Sequence, residues 1–121
     1  MQHAAAQAYG KVASQTSSPR EMEANLLLKA AARLQAVSDA WGTDSGQADE
    51  ALLYNRKLWS VFMIAATNGE NSLPAGIRQN VANLGMFVMN QTISVMTEPK
   101  REKLTSLISI NREIAAGLLG R

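Results

Sequence analysis

Helical spacing of the apolar residues constrains this chain more than any other feature of its sequence. Apolar stretches repeat at intervals of three and four residues, and none alternates with period two. The stretches are rich in Ala, Leu, Met, Lys, Glu and Gln, which favour helix. With 121 residues, the chain has a common length for one domain and can bury a core. The sequence therefore predicts an all-α fold, a single-domain bundle of about five helices over residues 1–121.

Capping residues locate the first two predicted helices. An Ala-rich stretch predicts a helix from about Gln2 to Ala13, and residues 1–14 are expected to form a loosely attached N-terminal helix. Ser18 can then serve as the N-cap of the second helix. Pro19 would occupy its first position, and Glu21 would complete a capping box.

Turn residues bound the other helices. A glycine ends a helix readily, and Ser, Thr, Asp or a proline in the first turn begins one. The predicted boundaries are Gly42 as the stop of the second helix, Asp44 or Ser45 to Thr67 for the third, Ser72–Pro74 to Met96 for the fourth, and Thr97 as N-cap with Pro99 in the first turn for the fifth.

Composition excludes several classes of protein. The chain has no cysteine, so it forms neither a disulfide nor a thiolate metal site. The net charge is +2, from 12 basic and 10 acidic residues, and the charges alternate in sign rather than form a basic stripe. No apolar run reaches the roughly 18 residues of a membrane span. Because no export signal is recognisable either, the protein is expected to be cytoplasmic.

Catalytic groups are scarce. The one histidine is His3, which leaves a serine or threonine nucleophile elsewhere without a base. Most carboxylates lie in predicted first turns, where they complement the helix dipole. The basic cluster Lys100, Arg101 and Lys103 is interrupted by Glu102, which disfavours direct nucleic-acid binding. We therefore expect a protein that is not an enzyme and has no catalytic residue, cofactor or metal site.

The fourth predicted helix is apolar on two faces. Such a helix is either central to a bundle or covered by a partner, and methionine is common on adaptable binding surfaces. The central position is the favoured interpretation, with the partner face as its alternative, and both can hold if each stripe takes one role. One stripe is Ile77, Val81, Leu84, Val88 and Val95; the other, the candidate partner face, is Ala82, Met86, Met89, Ile93 and Met96.

Two asparagines interrupt apolar stripes. Asn55 lies on the stripe of the third helix and Asn111 on that of the fifth. The stripes are Leu52, Asn55, Trp59, Phe62 and Ala66 on the third helix, and Leu104, Ile108, Asn111, Ala115 and Leu118 on the fifth. A buried amide without a hydrogen-bond partner costs roughly 1–3 kcal/mol, so two amides on neighbouring helices are expected to bond to each other or to loop backbone. This polar clasp would have Arg56 and Arg112 at its rim. The alternative is a polar opening to a groove, in which Asn55, Arg56 and Trp59 contact a partner.

Four blocks of sequence carry a resemblance to a known family. They read "SPREMEANLLLKAAARL", "ALLYNRKLWSVF", "LPAGIRQNVANLGMFV" and "LISINREIAAGL". In this order they resemble the flagellar biosynthesis regulator FlaF family, from about Ala8 to Leu119. "NRKLW" followed by "INREIAAGL" is the most specific part of the resemblance.

The resemblance implies a small helical bacterial protein required for flagellum assembly. Its expected partner is flagellin, bound before export as by a chaperone or secretion factor, with the flagellin regulator FlbT and flagellar export components as further partners. An apolar groove could hold an amphipathic flagellin segment as a helix. One alternative is a post-transcriptional regulator of flagellin mRNA, acting directly or through FlbT. Another is a scaffold at the export machine.

Overall fold

Four helices account for most of the residues that the structure describes. The computed structural model describes residues 18–43, 45–68 and 73–121. The helices are α1 (Pro19–Asp39), α2 (Ser45–Thr67), α3 (Ala75–Thr97) and α4 (Lys103–Leu118). The all-α prediction is confirmed, but the described residues contain four helices rather than about five. The predicted helix at Gln2–Ala13, and with it residues 1–14, lies outside the described residues. Within those residues no helix is long and apolar enough to cross a bilayer.

The start of α1 has the predicted N-cap residue and the predicted proline. Ser18 is the N-cap, and its Oγ accepts a hydrogen bond of 3.0 Å from the backbone N–H of Glu21. Pro19 occupies the first helical position, where its missing N–H leaves no bond unmade. The helix ends at Asp39, and Gly42 then takes a φ of +88°, which favours glycine and turns the chain toward α2.

The junction between α3 and α4 differs from the prediction. Thr97 does not cap α4; it is the last residue of α3, and its hydroxyl donates to the Ile93 carbonyl at 3.0 Å. Residues 98–102 form the connection, so the predicted position of Pro99 in the first turn of the last helix is also wrong. The ammonium of Lys103 donates to the carbonyls of Ser94 at 3.2 Å and Glu98 at 2.9 Å. The first residue of α4 thereby satisfies carbonyls at the end of α3.

The helices pack in a closed square. Each packs against the next in the chain, and α4 packs back against α1 with the most extensive contact of the four pairs. Buried small residues on these two helices, including Ala24, Ala31 and Ala115, allow that close approach. In this arrangement α2 and α4 lie diagonally across the bundle, with the core between them.

The core consists of the stripes predicted for α2 and α4. Trp59 is fully buried near the middle of α2, with its ring 5.5 Å from that of Phe62 in an edge-to-face arrangement. Every residue of the two predicted stripes is buried, which confirms the helical spacing. They are Leu52, Asn55, Trp59, Phe62 and Ala66 on α2, and Leu104, Ile108, Asn111, Ala115 and Leu118 on α4.

Candidate functional site

A three-residue hydrogen-bond chain crosses the centre of the bundle. The side-chain amide of Asn111 donates from Nδ2 to Oδ1 of Asn55 at 2.7 Å. The indole Nε1–H of Trp59 donates to Oδ1 of Asn111 at 2.8 Å. All three side chains are fully buried. The two asparagines belong to diagonal helices rather than the neighbouring helices expected from the sequence, so the contact spans the whole core.

The indole fixes how both amides are oriented. Because Trp59 can only donate, it selects Oδ1 of Asn111 and turns Nδ2 of that residue toward Asn55. Asn55 must then present its oxygen, which leaves its own Nδ2 buried with no hydrogen-bond partner among the described residues. Asn111 thus makes two hydrogen bonds and Asn55 one. The polar centre is directional, and one of its donors remains unmatched.

Burial separates the sequence-predicted partner residues into two groups. Asn55 and Trp59 have no exposed surface, so neither reaches a partner in this conformation. Arg56, one residue further along α2, is exposed. Arg112 is exposed as well, and its Nη2 lies 3.4 Å from Oε1 of Gln35 on α1. Of the three α2 residues proposed to contact a partner, only Arg56 lies on the surface.

The outer stripe of α3 lies on the surface of the bundle. Met86 is 61 % exposed, Ile93 58 % and Met96 56 %. Met89 is half-buried and packs against the core, while Val88 on the opposite stripe is fully buried. The two apolar stripes therefore have different environments, and α3 is a corner helix rather than the central one favoured from the sequence.

A glycine sets the distance between α2 and α3. A Cβ placed on Gly85 would overlap the Sδ of Met63 and lie only 2.6 Å from its Cγ. Met63 therefore lies directly over the backbone of α3. Ile64, which is 73 % exposed, and Leu53 add apolar surface on the α2 side. We call this surface the α2–α3 face; its residues are Leu53, Arg56, Met63, Ile64, Arg78, Met86, Met89, Ile93 and Met96.

The α2–α3 face ends at a cavity of about 290 Å³. Met96 lines both, so the two are continuous. Trp41, which follows the end of α1, forms part of the wall. The spacing of Leu34, Val37 and Trp41 predicts Trp41 on the apolar stripe of α1. The structure instead places it after the end of that helix, next to Gly42, and the sequence pattern does not indicate its role in the cavity wall. The apolar lining includes Val37, Trp41, Leu52, Val95, Met96 and Pro99.

Charged side chains are few and basic between residue 51 and the end of α3, within the described ranges. Over residues 51–68 and 73–97, the charged side chains are Arg56, Lys57 and Arg78, all basic. None of the three has an ion pair within the described ranges, where the ion pairs are those of Glu98 with Lys100 and Lys103. The α2–α3 face is therefore apolar with unpaired basic groups.

The basic cluster at the start of α4 is occupied by contacts within the protein. The ammonium groups of Lys100 and Lys103 lie 2.9 Å and 3.7 Å from the Glu98 carboxylate. The hydrogen bond from Lys100, and then the charge of Lys103, lower the pKa of that carboxyl. The Nε of Arg101 lies 3.3 Å from the Ser38 hydroxyl. These contacts give the cluster a role in joining the ends of the helices.

The described ranges hold no group of three or more histidine or acidic side chains that could bind a metal ion. Burial raises the pKa of Glu23, and the charge of Arg20 opposes this effect. This carboxyl lies in the first turns of α1 and is not part of the α2–α3 face.

Comparison with known proteins gives one match. The family model described as flagellar protein FlaF matches residues 5–118, nearly the whole chain. No curated protein and no solved structure matches significantly.

Proposed function

This chain belongs to the flagellar protein FlaF family, and we propose that it is a non-enzymatic flagellum assembly factor that binds flagellin before export. It would act as a chaperone or secretion factor and so influence flagellin levels. Family membership places the chain in flagellar biosynthesis or its regulation. The choice of flagellin as client, and of the cytoplasm as the place of binding, belongs to the proposal.

The exposed stripe of α3 is the observation that supports a binding role. Met86, Ile93 and Met96 each leave more than half of their surface in solvent, on a helix whose other stripe already fills the core. Large exposed apolar patches on soluble proteins usually mark interaction sites. Methionine side chains are unbranched and adapt to different partner shapes, which suits a chaperone. A helix with an apolar stripe would bury both its own surface and this one.

Retention of flagellin on the immobilised protein tests the proposal. Monomeric flagellin would be applied in full length and with either end removed, at low salt. We expect full-length flagellin to be retained and one of the truncations to abolish retention, since an amphipathic terminal segment would be the bound part. If every form of flagellin passed through the column without being retained, the proposal would be contradicted. The order of retention among the truncations identifies the bound end.

Other interactions within flagellum assembly remain part of the proposal. FlbT and export components would join a complex that carries flagellin. A scaffold at the export machine, by contrast, would stay with export components in cells without flagellin, which fractionation of a flagellin-null strain measures.

The alternative function, regulation of flagellin mRNA, is less well supported in its direct form. Lys100 and Lys103 are paired with Glu98, and Arg101 contacts Ser38, so the cluster offers few free charges for phosphates. A band shift with flagellin mRNA that weakens steeply with salt and disappears on K100A/R101A/K103A substitution would favour direct regulation instead. Regulation through FlbT requires no such contact and would appear as a complex of the two proteins.

A further inference from the structure

We propose that the α2–α3 face binds an amphipathic helix with opposite charges at its two ends, its acidic end over Arg78 and Arg56 and its other end beside Asp49. This inference rests on the proposed function, because the helix would be a segment of the client. It adds the chemistry of that segment and the direction in which it lies.

The Met63–Gly85 contact provides the register of the face. Arg56 lies seven residues before Met63 on α2, and Arg78 lies seven residues before Gly85 on α3. Seven residues are close to two helical turns, so each arginine lies on the same side of its helix as the contact. The connection between α2 and α3, residues 68–74, is too short to run back along the length of either helix, so the two packed helices are antiparallel. The arginines therefore lie on opposite sides of the contact, each about 10 Å from it along the bundle. Met86 and Met89 lie between them.

An acidic group marks the other end of the face. Asp49 lies two further turns before Arg56, about 21 Å from the Met63–Gly85 contact. Met96 lies about 16 Å from that contact in the same direction. Both residues line the cavity at this end, which agrees with the register. Along the face the order is therefore basic, apolar, basic, apolar and acidic.

Charge complementarity then defines the partner. An apolar stripe on the partner would cover Met86, Met89 and Ile93. Carboxylates spread over its first four turns would meet Arg78 and Arg56, which are about 21 Å apart along the bundle. Neither arginine has an ion pair of its own among the described residues. A basic or neutral last turn would avoid repulsion from Asp49, and an apolar side chain there could enter the cavity. Acidic first turns and basic last turns also suit a helix's own dipole, so such a segment would run parallel to α3.

Methionine methyl groups allow a test without flagellin. The protein would be labelled at the methionine methyls and titrated, at low ionic strength, with two peptides of about 21 residues, enough to span the roughly 31 Å from Arg78 to Asp49. Both peptides carry the same leucine stripe. One has glutamates over its first four turns, which reach from Arg78 to Arg56, and lysines in its last turn; its twin carries the same charges in reverse order along the chain. A nitroxide attached to an N-terminal cysteine of each peptide reports direction, since the protein has no cysteine.

The expected result is specific to position. Resonances of Met86, Met89 and Met96 shift, while Met22, which is 50 % exposed on α1, does not. The nitroxide on the acidic-first peptide broadens Met86 several-fold more than Met96. On the twin it broadens Met96 several-fold more than Met86, because that peptide binds in reverse.

Charge variants sharpen the result. The triple variant R56E/R78E/D49K should exchange the two broadening patterns. The matched variant R101E/R112E/E113K also reverses two basic charges and one acidic charge, at exposed positions on the α4 side. It should leave both broadening patterns unchanged.

Four outcomes would overturn the inference. The first is that no resonance of Met86, Met89 or Met96 shifts at millimolar peptide, and the second is that both peptides give the same broadening pattern. The third is a larger chemical-shift change at Met22 than at the methionines of the face. The fourth is that the resonances shift with protein concentration in the absence of peptide and the mass in solution doubles. The last outcome would mean that a second copy covers the face. Because flagellin is absent, none of them decides whether flagellin is the client; the retention experiment does so separately.

Discussion

The polar centre of the bundle and the α2–α3 face are both unusual, but in opposite ways. The centre places Asn55, Trp59 and Asn111 where apolar residues normally lie, with no surface exposed. The face places Met86 and Ile93 where polar residues normally lie, with more than half of each side chain exposed. The difference indicates separate roles. The centre specifies how α2 and α4 meet, and the face is available to a partner.

The largest effect is expected in the centre, on Trp59→Ala. This change removes a fully buried indole and leaves Oδ1 of Asn111 without its donor, so the free energy of unfolding should fall by about 3–5 kcal/mol. Urea denaturation measures the loss. Trp59→Phe keeps most of the bulk and should cost less, about 1–3 kcal/mol, through the lost hydrogen bond. A nearly unchanged unfolding midpoint for Trp59→Ala would remove the distinction between centre and face.

Unequal losses are expected for the two asparagines. Asn111→Leu breaks two hydrogen bonds and should cost about 1–3 kcal/mol, whereas Asn55→Leu breaks one and also removes the unmatched donor, so it should cost less. The double variant should depart from the sum of the single losses by about 0.5–3 kcal/mol, because the residues are in direct contact. Chemical denaturation of the four proteins completes the cycle. Strictly additive losses would mean that the amides do not act as a pair.

Substitutions on the face should barely alter stability. Met86→Gln and Ile93→Gln replace exposed side chains, so each should change the free energy of unfolding by no more than about 0.5 kcal/mol. Thermal melting at neutral pH measures this. A loss of unfolding free energy comparable to that of the asparagine variants would place these residues within the cooperative core. It would contradict the difference drawn between the polar centre and the α2–α3 face.

Two carboxylates outside both regions predict small pH effects of opposite sign. The lowered pKa of Glu98 means that its contribution is present above its ordinary value of 4.5 and is lost as pH falls through the lowered pKa. The raised pKa of Glu23 means that its ionisation disfavours folding, with stability lost as pH rises above 4.5 through the raised pKa. At neutral pH, Glu98→Gln should therefore melt slightly below the unmodified protein and Glu23→Gln slightly above it. The Glu23 difference should vanish below its ordinary pKa of 4.5, and the Glu98 difference once the pH has fallen below the lowered pKa of that carboxyl. A difference that persists at lower pH would assign the effect to a cause other than ionisation.

Helical periodicity was sufficient to predict the buried stripes and the fold class. The spacing of Leu52, Trp59 and Phe62 defines one face of a helix whatever the neighbours are, and Ser18 before Pro19 specifies where α1 begins. The junction after α3 was mispredicted because Thr97 resembles an N-cap locally. The Thr97 hydroxyl instead donates to the Ile93 carbonyl of its own helix. The ammonium of Lys103, six residues further along the chain, donates to the Ser94 carbonyl near the same helix end.

Periodicity could not determine which helices are diagonal. The stripes place Asn55 and Asn111 in the core, but their contact across it depends on the order of four helices in space. The exposure of Met86 has the same origin, since a helix with two apolar stripes fits either a centre or a corner. The cavity beside Trp41 lies between the end of α1, the start of α2 and the end of α3. The end of α3 is distant in sequence from the other two segments, so no local pattern indicates the cavity.

Flagellin affinity of paired double variants tests the central claim most directly. Met86→Gln with Ile93→Gln alters the α2–α3 face, and Met22→Gln with Leu26→Gln makes a matched change at exposed apolar residues of α1. Titration calorimetry with monomeric flagellin would compare both with the unmodified protein, after melting curves show that all three are folded. We predict that the face variant binds at least about tenfold more weakly, a loss of roughly 1.4 kcal/mol, while the α1 variant binds normally. Equal affinity of the two variants would contradict the assignment of flagellin binding to this face.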